Sequence, residues 1–175
     1  MLSPELTERA SRIRLLLLDV DGVLTDGRII YAEYGDELKC FDVQDGAGLV
    51  LWGRVGLKSA IVTARTSRVL KRRAKEMRVD FLAQGRLIKL HAYEELLKRY
   101  RLTDAEICVI GDDLMELPLL HRAGFAVAVA NAVEDVKRGS HYVTRRVGGH
   151  GAVREVIELL LKAKGLWDQV LQSYQ

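Results

Sequence analysis

Four short apolar runs, each closed by a residue that can turn the chain or do chemistry, constrain this sequence most. Leu15-Leu16-Leu17-Leu18 runs into Asp19, and Ser59-Ala60-Ile61-Val62 into Thr63. Ile107-Cys108-Val109-Ile110 meets Gly111-Asp112-Asp113, and Phe125-Ala126-Val127-Ala128-Val129 stops just before Asn131. Continuous apolar stretches of this length, without alternation, fit strands buried on both faces. Helical patterns lie between them, at about 45–55, 66–77, 88–99 and 114–122. Strands alternating with helices predict an α/β fold, a central parallel sheet flanked by helices. With 175 residues, the chain is expected to form one domain over 1–175. The wealth of Leu, Val and Ile and the presence of only two prolines exclude disorder as the dominant state.

One segment breaks the alternation. Arg28-Ile29-Ile30-Tyr31 and Leu38-Lys39-Cys40-Phe41 flank Glu33-Tyr34-Gly35-Asp36, the signature of a β-hairpin with a glycine-containing loop. It follows the first strand directly, so the expectation is a flap of about 27–42 over that strand's carboxyl end. Residues 1–12 read as a short polar lead with helical character, 152–164 as an amphipathic helix and 166–174 as an apolar-striped tail.

Charge and cysteine content narrow the function classes. A net charge of +3 is too mild to indicate nucleic acid, and none is expected as a partner. Basic residues do cluster from Arg65 to Arg78. That cluster reads either as a solvated helix face or as a contact for an anionic substrate or a second subunit. Cys40 and Cys108 are the only cysteines, too few for a disulfide framework or a zinc site, which points to a reducing cytoplasmic setting. No run approaches the length of a membrane span, so no membrane partner is expected.

In open parallel α/β sheets, ligands bind outside the carboxyl ends of the strands. Three of the apolar runs would deliver Asp19 with Asp21, Thr63, and Asp112 with Asp113 to that edge. Carboxylates gathered there repel one another, which raises their pKa values or demands a cation. Oxygen ligands suit Mg²⁺. The residues by themselves therefore suggest a carboxylate-rich Mg²⁺ site beside a hydroxyl.

The stretch Asp19-Val20-Asp21-Gly22-Val23-Leu24-Thr25-Asp26 resembles the first motif of the haloacid dehalogenase superfamily of phosphotransferases. The other three motifs follow in order: Val62-Thr63, Lys89 after Gln84-Gly85, and Gly111-Asp112-Asp113. The resemblance implies a Rossmann-like core and an aspartyl-phosphate mechanism. In it Asp19 is the nucleophile, and Asp21 is general acid and then general base. Thr63 and Lys89 hold the phosphoryl group. Asp19, the backbone carbonyl of Asp21, and Asp112 hold Mg²⁺. Asp113 stands behind them, orienting Lys89 or a metal-bound water.

About 18 residues separate Thr25 from the next helix, room for the hairpin but for no cap domain. Further stretches resemble the phosphatases of 3-deoxy-D-manno-octulosonate (KDO) 8-phosphate: Asp19–Gly27, Phe41–Gly46, Thr63-Ala64-Arg65, Gly111–Asp113 with Leu117-Pro118, and Gly148–Glu155. That likeness implies hydrolysis of an acidic sugar phosphate for lipopolysaccharide synthesis by a homotetramer whose sites are completed by neighbouring subunits. Arg65 is the expected partner of a substrate carboxylate, because its guanidinium can bind one in bidentate fashion. Phosphatases of sialic-acid-type 9-phosphates, broad small-molecule phosphatases and an inactive regulatory module of the same fold are the alternatives. Two departures stand out: Ala64 where the family has Gly, and Glu116 where it often has Asp. Gln44 and Asp45 read equally as helix caps or substrate groups. His150 and Arg154 are candidates to border the site. His91, His121 and His141 read as structural or surface residues, and Trp52 and Trp167 as packing anchors. Tyr31, Tyr34 and Phe41 form a candidate intersubunit patch.

Overall fold

The structure, a computed structural model, describes residues 2–33, 35 and 37–174. Six strands form one wholly parallel sheet: β1 (Leu15–Leu18), β4 (Lys58–Val62), β5 (Phe81–Ala83), β6 (Ile107–Gly111), β7 (Phe125–Ala128) and β8 (Tyr142–Val143). Their spatial order is β5-β4-β1-β6-β7-β8. The chain leaves β1 toward β4 on one side and later returns to β6 on the other. The sheet therefore changes direction at β1, the point where ligands collect in such folds. The two remaining strands, β2 (Ile30–Tyr31) and β3 (Glu37–Leu38), pair antiparallel as the expected hairpin. Tyr34 and Asp36 at its tip lie outside the described residues. No cap domain is present among the described residues.

Helices α1 (Pro4–Arg12), α2 (Val43–Arg54) and α7 (Ala152–Ala163) pack together, and α4 (Lys89–Tyr100) packs with α5 (Leu117–Leu120). The first four strands named by their apolar runs are buried along nearly their whole length, so both faces of the sheet are covered, as all-parallel sheets require. Helices α3 (Arg68–Glu76), α6 (Glu134–Arg138) and α8 (Trp167–Gln172) complete the chain. Trp52 is fully buried and donates its indole N–H to the Lys58 carbonyl at 2.7 Å, while Trp167 is half-buried beneath Arg154 and Lys162.

Several elements differ from the sequence expectation. Strand β5 is not expected from the sequence, and β8 only as a strand near His141: they hold three and two residues, too few to show a period. The helix expected at 114–122 is a 3₁₀ turn, Leu114–Glu116, followed by α5. Pro118 stands in the first turn of α5, where its missing N–H costs nothing. Helix α2 begins two residues early, because Asp42 caps it by accepting from Gln44 N–H at 2.6 Å and Asp45 N–H at 3.2 Å.

Candidate active site

Strand register brings the candidate residues to one edge. Leu18 stands level with Ile61 on β4 and Ile110 on β6. Asp19 is the next residue along β1, and Thr63 and Asp112 lie two residues past those partners. After Asp19 the chain turns sharply. Thr25, buried, fastens the turn: its hydroxyl donates to the Val20 carbonyl at 3.4 Å and accepts from Gly22 N–H at 3.4 Å and Gly27 N–H at 3.3 Å. Gly22 adopts φ +93°, and a Cβ there would collide with the Asp112 carboxylate. Glycine is thus needed twice over, for the conformation and for the approach of Asp112. The Gly148–Gly151 loop clamps the turn from outside. Gly149 N–H donates to the Val23 carbonyl at 2.9 Å, and Gly148 lies so close to Gly22 that any side chain would strike its carbonyl. Asn131 links the two, donating to the Gly22 carbonyl at 3.2 Å and accepting from Gly148 N–H at 2.6 Å. From the sequence alone Asn131 reads only as the end of an apolar run.

Behind the turn sits a buried charge cluster. Lys89, the first residue of α4, places Nζ 2.6 Å from Asp19 Oδ1 and 2.5 Å from Glu116 Oε1, with its side chain only 4% exposed. Carboxylate oxygens of Asp19, Asp112 and Glu116 all lie within 4.8 Å of one another. One ammonium serves two carboxylates directly, and Asp112 gets no direct partner from it. Burial pushes Asp19 up to about 6, with Lys89 opposing and Glu116 adding to the rise. Asp112 rises to about 7 through burial and then the charges of Asp19, Glu116 and Asp113. Burial disfavours the Lys89 charge, but Asp19 and Glu116 more than offset this and hold it above its ordinary value. A surplus of buried carboxylate oxygens at the mouth of a parallel sheet fits a hard divalent cation. Asp19 and Asp112 are the residues whose burial such a cation would relieve. Glu116 is already committed: its second oxygen accepts from Asp113 N–H at 3.1 Å.

In front of the turn the hairpin closes over Asp21. The Lys39 ammonium, on a side chain 2% exposed, pairs with Asp21 Oδ1 and lies 3.4 Å from Glu37 Oε1. Arg65 Nη2 donates to Glu37 Oε1 at 2.6 Å, and its Nε lies 3.6 Å from Asp21 Oδ2. Asp21, Lys39, Glu37 and Arg65 thus form a ring of alternating charge. Thr63 is buried at 2% exposure, and its hydroxyl accepts from Arg65 N–H at 3.2 Å. Glu37 and Lys39 escaped the sequence reading, although their spacing of two puts both on one face of a strand.

Other candidates stand elsewhere. Lys89 is oriented by Glu116 and not by Asp113, whose exposed side chain accepts from Leu114 N–H at 2.7 Å. Asp45 is a cap, but of a different helix: it accepts from Gly151 N–H at 3.2 Å and Arg154 N–H at 2.7 Å at the start of α7, and burial pushes it up to about 6. Gln44 accepts from Arg146 Nη1 at 2.7 Å. Arg154 donates from Nε to Glu158 Oε1 at 2.8 Å and lies over the Trp167 ring. His150 is exposed. Tyr31 is exposed, whereas Phe41 packs on the core beneath Arg73 and leaves the hairpin patch. Most of the basic cluster after Arg65 is a solvated face, Arg73 excepted, which also donates to the Asp42 carbonyl at 3.2 Å.

Comparison with known proteins places the chain among phosphatases. The family described as haloacid dehalogenase-like hydrolase matches residues 73–157. The KDO 8-phosphate phosphatase KdsC of Yersinia pestis is 42% identical over 160 residues, 91% of this chain and 86% of that protein. KdsC of Escherichia coli K12 is 40% identical over 167 residues, 95% of this chain and 89% of its own. A crystal structure of the KDO 8-phosphate phosphatase of Moraxella catarrhalis, in complex with magnesium, phosphate and KDO, superposes with a TM-score of 0.95 at 42% identity and covers 98% of both chains. The buried carboxylates around Lys89 and the overall likeness lead to one assignment: the chain belongs to the KDO 8-phosphate phosphatase family of haloacid dehalogenase-like hydrolases and is a phosphoric monoester hydrolase.

Proposed function

We propose that this protein hydrolyses KDO 8-phosphate to KDO and phosphate, with Mg²⁺ bound and with Asp19 as nucleophile. The observation that carries the reading is the meeting of Asp19, Lys89 and Asp112 at the reversal point of the sheet, with Thr63 and Asp21 beside them. Asp19, Asp112 and the Asp21 carbonyl would hold the ion, which supplies positive charge against the anionic phosphoryl group. The Asp19 carboxylate attacks phosphorus. The bond from phosphorus to the sugar oxygen breaks, and Asp21 gives that oxygen a proton. Water then attacks the aspartyl-phosphate, the bond to Asp19 breaks, and Asp21 takes the proton back. The Thr63 hydroxyl and Lys89 ammonium bind phosphoryl oxygens throughout, and Arg65 receives the substrate carboxylate.

An acidic sugar phosphate also explains why the entrance carries both Arg65 and Lys39. The capless entrance is rimmed by exposed apolar residues, Ile29, Ile30, Tyr31 and Leu38 on the hairpin and Leu87 and Ile88 before Lys89. These support a homotetramer in which neighbouring copies cover the mouth, as a cytoplasmic enzyme of lipopolysaccharide synthesis. Among the described residues, no helix is long and apolar enough to cross a membrane. Phosphate release from KDO 8-phosphate, a nonulosonate 9-phosphate and a hexose phosphate, each with and without Mg²⁺, tests the reading. A clear preference for the first, dependent on the ion, supports it. Equal rates on hexose phosphate would overturn the substrate assignment. Sedimentation at micromolar protein tests the assembly, and a single 20-kDa species would refute it.

A further inference from the structure

The Nε–Nη2 edge of the Arg65 guanidinium is only half satisfied among the described residues. Its Nη2 donates to Glu37 Oε1 at 2.6 Å. Its Nε is buried and, among the described residues, has no hydrogen-bond partner, since Asp21 Oδ2 at 3.6 Å is beyond hydrogen-bonding range. Nε and Nη2 form one edge of the guanidinium fork, the edge on which a carboxylate binds through two parallel N–H···O bonds. One oxygen of a hairpin carboxylate therefore sits on half of a bidentate site, and the other half faces Asp21 Oδ2 at 3.6 Å without a hydrogen bond. Leaving a buried donor unpaired is costly, so the arrangement favours a ligand that satisfies both nitrogens together. Such a ligand has to displace Glu37 first.

We propose that Glu37 is a specificity-determining residue, an internal carboxylate that occupies Arg65 in the ligand-free enzyme and yields only to a substrate carrying its own carboxylate. This rests on the reading above in which Arg65 receives the carboxylate of an acidic sugar phosphate. The exchange has a mechanical consequence. Glu37 also lies 3.4 Å from Lys39, and Lys39 with Arg65 closes the ring on Asp21. Displacing Glu37 opens that ring and loosens β3 from the strand-end turn. A neutral sugar phosphate offers no group to Nε and Nη2, so it leaves Glu37 in place across the entrance. The hairpin thereby acts as a filter without a cap domain.

The test compares kcat/KM for KDO 8-phosphate with that for p-nitrophenyl phosphate, which has no carboxylate and reports the general effect of removing one negative charge. Glu37→Gln and Glu37→Ala each remove the competitor. The expected result is a rise in the ratio of about fivefold, roughly 1 kcal/mol, expressed as a lower KM for KDO 8-phosphate. Arg65→Ala lowers the same ratio. A ratio that falls in both Glu37 variants shows that Glu37 orients Arg65 and overturns the proposal, and so does a ratio that stays constant. A wild-type enzyme whose ratio is insensitive to Arg65→Ala refutes the underlying carboxylate reading, and the proposal with it. Thermal unfolding of the variants separates these outcomes from a loss of fold.

Discussion

Loading the site with Mg²⁺ displaces protons, and the number follows from the buried carboxylates. Asp19 is raised to about 6 and Asp112 to about 7, yet both have to be ionised to ligate a cation. Titration of the pair near those values gives a release of more than one proton per ion bound at pH 6, falling close to none at pH 8. The sign is fixed: protons compete with the ion, so affinity weakens as the solution is acidified. The dissociation constant is therefore expected to be larger at pH 6 than at pH 8, by about tenfold or more. Isothermal titration of Mg²⁺ into the protein, in two buffers of different ionisation enthalpy at each pH, reads the proton count directly. Enthalpies at pH 6 that do not depend on the buffer, with an affinity flat from pH 6 to 8, would refute the claim that these carboxylates hold protons in the ion-free site.

Three further outcomes follow from single side chains. Lys89→Ala strands Asp19 and Glu116 without their shared cation and is expected to destabilise the ion-free fold by about 3 kcal/mol; an unchanged urea midpoint would show that the carboxylates find relief elsewhere. Asp45→Ala removes both caps from the start of α7 and is expected to cost about 1–2 kcal/mol, seen in the same urea titration, while a variant as stable as the parent would deny the cap any role. His141 accepts the Ala126 N–H on Nδ1 at 2.8 Å, and burial, with Arg9 nearby, lowers its pKa. A lowered histidine stabilises the fold above its unfolded value of about 6.5 and loses that contribution as pH falls through the folded value. Denaturation midpoints of the parent and His141→Gln are therefore expected to converge as pH drops below 6, and a constant gap between them would contradict this.

The core of the site was legible because strand burial and strand termination leave the same mark. An apolar run ended by Asp19, Thr63 or Asp112 states both where a strand stops and what it carries, and a parallel sheet puts those ends together. The register of β1 against β4 and β6 did so. The front wall was not legible in this way. Glu37 and Lys39 lie on a strand of two residues and its flank, and nothing local tells a solvated hairpin charge from one folded back onto Asp21. Glu116 was noticed only as a departure. That it holds Lys89 depends on the 3₁₀ turn at Leu114–Glu116, a geometry set by tertiary packing. Asp45 shows the same limit. A polar residue in the first turn of α2 reads as that helix's own cap, whereas its carboxylate serves α7, more than 100 residues on.

Chemical trapping of the covalent intermediate tests the central claim most directly. Enzyme with Mg²⁺, quenched during turnover of KDO 8-phosphate and treated with borohydride, converts an acyl-phosphate to an alcohol at the residue that carried it. The account predicts homoserine at position 19 in the digested peptide, and none in Asp19→Asn. Reduction at Asp21 or Asp112 instead, or no reduction at any carboxylate while phosphate is being released, would contradict it.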